Sequence, residues 1–263
     1  MDNHKEYLNP IGKLNYLSIQ HLERYRFVLN RLNHCQLVLD IACGAGYGSA
    51  MLLRHGCKVI GVDYDNEAVA NARIIWRHNG FIKADALELP FSDNSFDAVV
   101  SFETIEHVKD GNQFLSEMCR VLRPDGIFIC STPNIRYTAH PLYHVKEYEP
   151  EEFYKLAQQW FPHVEYYGQY FKLLDRASDL YRRHFHARLV AIIEKMGIKE
   201  FLKQKFRFDA KEDLKNTEGQ PIKDLSIEQA LKEGCNSYYR VRSFVGFNLL
   251  RIMVIVAKKG EPE

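Results

Sequence analysis

The stretch Phe102-Glu103-Thr104-Ile105-Glu106-His107-Val108 places two carboxylates and an imidazole close enough for one turn to converge them. Carboxylate oxygens and imidazole nitrogens together suit a divalent ion such as Mg²⁺ or Mn²⁺, and mixed N/O ligation favours Mn²⁺ on affinity. His144 stands downstream in His144-Val145-Lys146-Glu147-Tyr148 as a further ligand. Glu103, Glu106, His107 and His144 therefore form the candidate metal set. Two other readings stay open: catalysis by His107 and Glu106 without a metal, His107 acting as general base, and a packing role for the same side chains.

A second constellation lies upstream. Leu37-Val38-Leu39-Asp40-Ile41 is an apolar run carrying one acid, followed at once by Gly44, Gly46 and Gly48. An apolar strand, a glycine turn and a helix start form a cofactor site in open α/β sheets. A dinucleotide would prefer G-x-G-x-x-G with its pyrophosphate on the helix N-terminus. Here the third glycine comes one residue early, and Ser49 stands where that pattern wants glycine. With Asp40 aimed at the turn, the site suits a ligand with a cationic amino group and no pyrophosphate. S-adenosylmethionine (SAM) is such a ligand. Lys58 to Asp63 reads as a second strand ending in an acid, and Asp63 is placed to accept both ribose hydroxyls. Asp65 is read as a helix N-cap. Asp85, after the strand Phe81 to Ala84, is read as the acceptor for the adenine amino group.

These residues need a scaffold, and the chain supplies an alternating one. Tyr16 to Leu32 has helical apolar spacing, and its Tyr and His residues are read as packing. Helices are expected at Ser49 to Leu53, Glu67 to Arg77 and Gly111 to Leu122. A fourth strand is expected at Phe96 to Ser101, a turn at Pro124 to Gly126 and a fifth strand at Ile127 to Ser131. His163 to Tyr170 and Leu250 to Ala257 complete the strands. Strand–helix alternation implies a parallel, doubly wound sheet.

The chain has 263 residues, 46% hydrophobic and 26% charged, with a net charge of +1. One α/β domain with an insertion fits that length. The charge argues against an electrostatic nucleic-acid binder. The six cysteines show no C-x-x-C spacing, which fits reduced thiols and a cytoplasmic location. No run reaches transmembrane length.

Asp40 to Gly48, Gly61-Val62-Asp63, Asp85-Ala86, Leu89-Pro90-Phe91, Ser95-Phe96-Asp97 and Arg120 to Gly126 together resemble class I SAM-dependent methyltransferases. The resemblance covers about residues 20–171 and the last strand. It implies a Rossmann-like sheet of seven strands, the last antiparallel. It also implies that Asp40, Ala42, Gly44 and Gly46 line the methionine part, Asp63 and Tyr64 the ribose side, Asp85 and Ala86 the adenine, and that Ser101, Phe102 and Glu103 close the pocket. The Glu-x-x-Glu-His core resembles metal-dependent small-RNA 3′-end 2′-O-methyltransferases and ubiquinone-pathway O-methyltransferases. His144 to Phe153 and then Phe161 to Tyr170, with Gly168-Gln169 near its end, resemble glycan- and sugar-pathway methyltransferases. The implied function is O-methylation of a sugar, glycan or other diol-bearing acceptor. The alternatives are an RNA 2′-O-methyltransferase, a quinone or natural-product O-methyltransferase, or a catalytically silent SAM-binding subunit. Residues 1–171 and 243–263 are read as the SAM-binding domain. Residues 172–242 are read as a helical insertion between strands six and seven, serving as an acceptor cap or a homodimer element.

Overall fold

A computed structural model describes residues 16–32, 36–138, 142–170, 237–240 and 252–260. The helices are α1 (Tyr16–Leu29), α2 (Tyr47–Arg54), α3 (Asn66–Trp76), α4 (Gly111–Val121) and α5 (Pro150–Gln158). The strands are β1 (Leu37–Ile41), β2 (Lys58–Asp63), β3 (Phe81–Lys83), β4 (Phe96–Phe102), β5 (Leu122–Pro133), β6 (His163–Tyr170), β7 (Ser237–Arg240) and β8 (Ile252–Lys258). They form one sheet in the order β3-β2-β1-β4-β5-β8-β6-β7. Strands β1 to β5 pair in parallel, and β8 runs antiparallel between β5 and β6.

Strands buried on both faces must be apolar at nearly every position, and alternate residues feed two cores. Leu39, Val99, Phe128 and Ile255 face α4 and α5, whereas Val38, Ala98, Val100, Ile129 and Val254 face α1 and α2. The strand order reverses between β1 and β4, because β1 leads outward to β2 and β3 while β4 and β5 build the other half. Ligands of such sheets bind in the crevice outside the strand C-termini at this reversal. Both constellations, the turn after β1 and the Glu-His turn after β4, lie there.

Seven of the strands form the expected sheet, and β7 is an eighth, paired antiparallel on the edge of β6. Strand β5 begins at Leu122 rather than Ile127, so the expected Pro124–Gly126 turn is an irregularity within the strand. Asp125 takes φ 59° there, and the register shifts between Phe96 and Ala98. Asp65 caps α3 as expected, accepting the Glu67 N–H at 2.7 Å. Cys43, Cys57, Cys119 and Cys130 are free thiols. Apart from β7, the expected insertion lies outside the described residues, as do Cys35 and Cys235. No described helix is long and apolar enough to cross a membrane.

Candidate functional site

The turn after β1 is built for close approach. Ala42, Gly44 and Gly46 take φ values of 55°, 51° and 75°, a region L side chains avoid. A Cβ on Gly44 would meet nothing within 4 Å, so this residue faces the open cleft. Gly46 differs: a Cβ there would lie 2.7 Å from the Phe81 ring. Gly46 therefore lets α2 pack against β3, and a larger side chain would strike the core before it reached the cleft.

Asp63 is held in place from both sides. Its Oδ2 accepts the Gly44 N–H at 2.8 Å and its Oδ1 accepts the Asp65 N–H at 2.9 Å. A carboxylate oxygen accepts two hydrogen bonds, so each retains a site for one ribose hydroxyl, and the half-buried side chain is within reach of the cleft. Tyr64 beside it is 74% exposed. Asp85 is exposed and accepts the Leu87 N–H at 2.9 Å, with Ala86 half-buried next to it. Ser101 is buried with no partner for its Oγ. Phe102 does not close the cleft from the side. It packs edge-on against Tyr25 and His21, centroids 5.0 and 5.9 Å away, and so seats α1 on β4.

Asp40 departs most from expectation. Its carboxylate does not face the ligand side: it is fully buried, with Oδ1 accepting from Tyr25 Oη at 2.9 Å and Oδ2 from Ser49 Oγ at 2.6 Å. It ties α1 and α2 to β1 and shapes the turn from behind. Burial pushes its pKa up to about 7, against the Ser49 and Tyr25 hydrogen bonds and with help from the Asp63 charge. An unfolded aspartate releases its proton near pH 3.9 (about). Between about pH 4 and 7 the native state thus binds the extra proton, and native stability falls as pH rises through that window. Asp40→Asn has no such proton to lose. From pH 4.5 to 8 the parent is expected to lose about 3 kcal/mol more stability than the variant. Urea unfolding of both at the two pH values checks this, and equal losses would show that Asp40 stays charged in the fold.

On the acceptor side, the β4–α4 turn meets the loop after β5. The Glu106 carbonyl accepts the Val145 and Lys146 N–H groups at 2.8 and 3.1 Å, which brings His144 to the turn. Glu106 is buried. Its Oε2 accepts from Thr132 Oγ1 at 3.0 Å and its Oε1 has no partner. Burial and then the Glu103 charge push its carboxyl well above the usual range. His107 Nδ1 lies 3.2 Å from the Tyr143 carbonyl. A carbonyl only accepts, so Nδ1 carries the proton and Nε2 is the basic nitrogen. His144 Nδ1 lies 2.9 Å from Glu147 Oε1, the carboxylate–histidine arrangement that orients metal ligands. Glu106, His107 and His144 each bring one ligand atom within 4.8 Å of the others.

Glu103 does not join them. Its φ of 53° turns it away. Its Oε1 accepts from Ser131 Oγ at 2.8 Å and lies 3.5 Å from Arg24 Nη1. Sequence reasoning also missed Tyr25, Ser49, Thr132 and Tyr143, which position Asp40, Glu106 and His107. Only the Tyr and His content of α1 hinted at any of this.

Residues 39–130 match the methyltransferase domain family model. With the sheet order, this match shows a class I methyltransferase fold. Over 121 residues it is 44% identical to a probable S-adenosylmethionine-dependent methyltransferase of Mycolicibacterium smegmatis, covering 45% of this chain and 47% of that protein. It is 32% identical to the ubiquinone biosynthesis O-methyltransferase of Rickettsia prowazekii over 129 residues, covering 47% and 50%. The matched regions span about half the length of these relatives. A Haloferax volcanii methyltransferase solved with the Trm112 activator superposes with a TM-score of 0.58 at 17% identity, covering 93% of this chain and 91% of that one. At that identity the likeness establishes the fold alone.

Proposed function

We propose that the protein is a SAM-dependent O-methyltransferase whose acceptor is a hydroxyl of a diol, as in a sugar or glycan. The observation that carries the proposal is the convergence of Glu106, His107 and His144 at the end of the sheet where the strand order reverses between β1 and β4. The donors fit a divalent ion. A buried carboxylate oxygen without a partner is costly unless something satisfies it, and both imidazoles have tautomers set by their Nδ1 partners. Three N/O ligands leave positions on a six-coordinate Mg²⁺ or Mn²⁺ for two acceptor hydroxyls.

In this reading SAM would supply an electrophilic methyl group, and an ion held by Glu106, His107 and His144 would lower the hydroxyl pKa and orient its oxygen. The chain does the rest. Gly44 leaves room for the methionine part, Asp63 and Tyr64 take the ribose side, and Asp85 and Ala86 border the adenine. Thr132 and Glu147 orient Glu106 and His144. The segment 172–242 would cap the acceptor or pair two copies. A second reading is favoured by the exposure of His107: its Nε2 takes the hydroxyl proton directly as a general base.

Calorimetric titration of the full chain with SAM and, separately, with NADH tests the cofactor. SAM is expected to saturate one site per chain and NADH to give no binding heat. The reverse would overturn the assignment in favour of a dinucleotide enzyme.

A further inference from the structure

Among the described residues, the exposed large apolar side chains fall into two groups. Tyr64, Ile74 and Ile75 stand just before and within α3. Leu142, Tyr143 and Val145 lie instead in the loop that brings His144 to the Glu106 turn, with exposures of 104%, 41% and 57%. Apolar side chains clustered in water mark a binding surface. This cluster is held in place, because the Val145 and Lys146 N–H groups are bound to the Glu106 carbonyl. The charged side chains of residues 144–149 are committed within the protein: His144 to Glu147 at 2.9 Å, Lys146 to Glu152 at 2.7 Å and Glu149 to Arg136 at 2.9 Å. The surface therefore suits neutral, apolar matter rather than a charged group.

Tyr143 sets its geometry. The Tyr143 carbonyl lies 3.2 Å from His107 Nδ1. Its ring stacks on the His107 ring at 22°, centroids 5.7 Å apart, and meets the His144 ring edge-on at 85°. A group bound at His107 Nε2 lies in the imidazole plane. A ring laid flat on Tyr143 runs nearly parallel to that plane and sends its equatorial hydroxyls out along it. A pyranose suits such a platform, since its axial C–H groups offer an apolar, slightly positive face to the negative face of an aromatic ring. Leu142 and Val145 add apolar surface that sugar hydroxyls do not match and an alkyl or aryl substituent does.

We propose that the acceptor is an amphiphilic glycoside, a sugar carrying an apolar aglycone, with Tyr143 stacked on the sugar face and Leu142 and Val145 against the aglycone. This rests on the reading of the crevice as a site that methylates a sugar diol.

Initial rates on the full chain, with saturating SAM and Mn²⁺, test it. The paired acceptors are methyl and octyl glycosides of glucose, galactose and mannose, each below its micelle concentration. For the sugar that is methylated, the octyl glycoside is expected to have a KM about tenfold lower than the methyl glycoside, or to be the only one of the pair to react. Leu142→Ser combined with Val145→Ser should bring the two KM values to within about twofold of each other. Tyr143→Ala, which keeps the carbonyl on His107, should raise KM for both glycosides about fivefold with little change in kcat, and Tyr143→Trp should restore it. Equal KM values for the pair in the parent would overturn the apolar aglycone. A loss of kcat rather than KM in Tyr143→Ala, not restored by Tyr143→Trp, would reduce Tyr143 to a support for His107 and overturn the stacking. A parent that methylates neither member of any pair overturns the sugar reading of the crevice as well, and that outcome is told apart by the absence of turnover.

Discussion

His144→Ala is expected to lower methyl transfer by about two orders of magnitude and leave the SAM Kd within about twofold. His144 reaches the Glu106 turn through the backbone bonds of Val145 and Lys146, so it borders the acceptor side and touches none of the residues read as holding the cofactor. Removing a group that only orients a ligand typically costs 10–100-fold in metal affinity or activity (about). Glu147→Ala, which frees the His144 ring, should fall in that range, and His144→Ala at or beyond its upper end. Turnover at saturating SAM, measured with a cofactor Kd for each variant, separates this from a folding defect. A fall in SAM affinity that parallels the fall in rate would place His144 in the cofactor site.

Asp63→Ala has the largest expected effect on binding. Each hydrogen bond from ribose to a carboxylate is worth about 1.5–3 kcal/mol, or roughly 10–150-fold in Kd. Asp63 also fixes the Gly44 and Asp65 N–H groups, so the loss should lie toward the upper value. Asp63→Asn keeps one acceptor oxygen and should recover part of it. Isothermal titration with S-adenosylhomocysteine reads both variants, and parental affinity in Asp63→Ala would remove Asp63 from the ribose site.

What could be read in the sequence was local or periodic. The strands followed from apolar runs between turns, because a strand buried on both faces tolerates little else. Asp63 and Asp65 could be told apart because a cap lies next to its helix and a strand-end acid does not. Asp40 was misread because its partners arrive from elsewhere: Tyr25 comes from a helix whose ring could equally have been core, and Ser49 from the far side of the glycine turn. Glu103 looked equivalent to Glu106 by residue type. A positive φ, which no spacing rule expresses, sends it to Ser131 and Arg24. His144 could be named as a ligand from its type alone, but its approach to His107, ring centroids 4.9 Å apart, depends on loop contacts to the Glu106 carbonyl. The edge strand β7 lacked a signal because four residues, Ser237–Arg240, are too few for alternation to show.

In the proposed chemistry the crevice would transfer a methyl group from SAM to a hydroxyl oriented by a divalent cation on Glu106, His107 and His144. The most direct test follows labelled methyl from SAM into a vicinal diol and into the same acceptor with one hydroxyl removed, before chelation, after EDTA and after Mn²⁺ is restored. Transfer is expected to the diol only, with loss on EDTA, recovery with Mn²⁺, and no recovery in His144→Ala. Undiminished transfer after exhaustive chelation, abolished in His107→Ala, would contradict the metal and leave His107 as the general base.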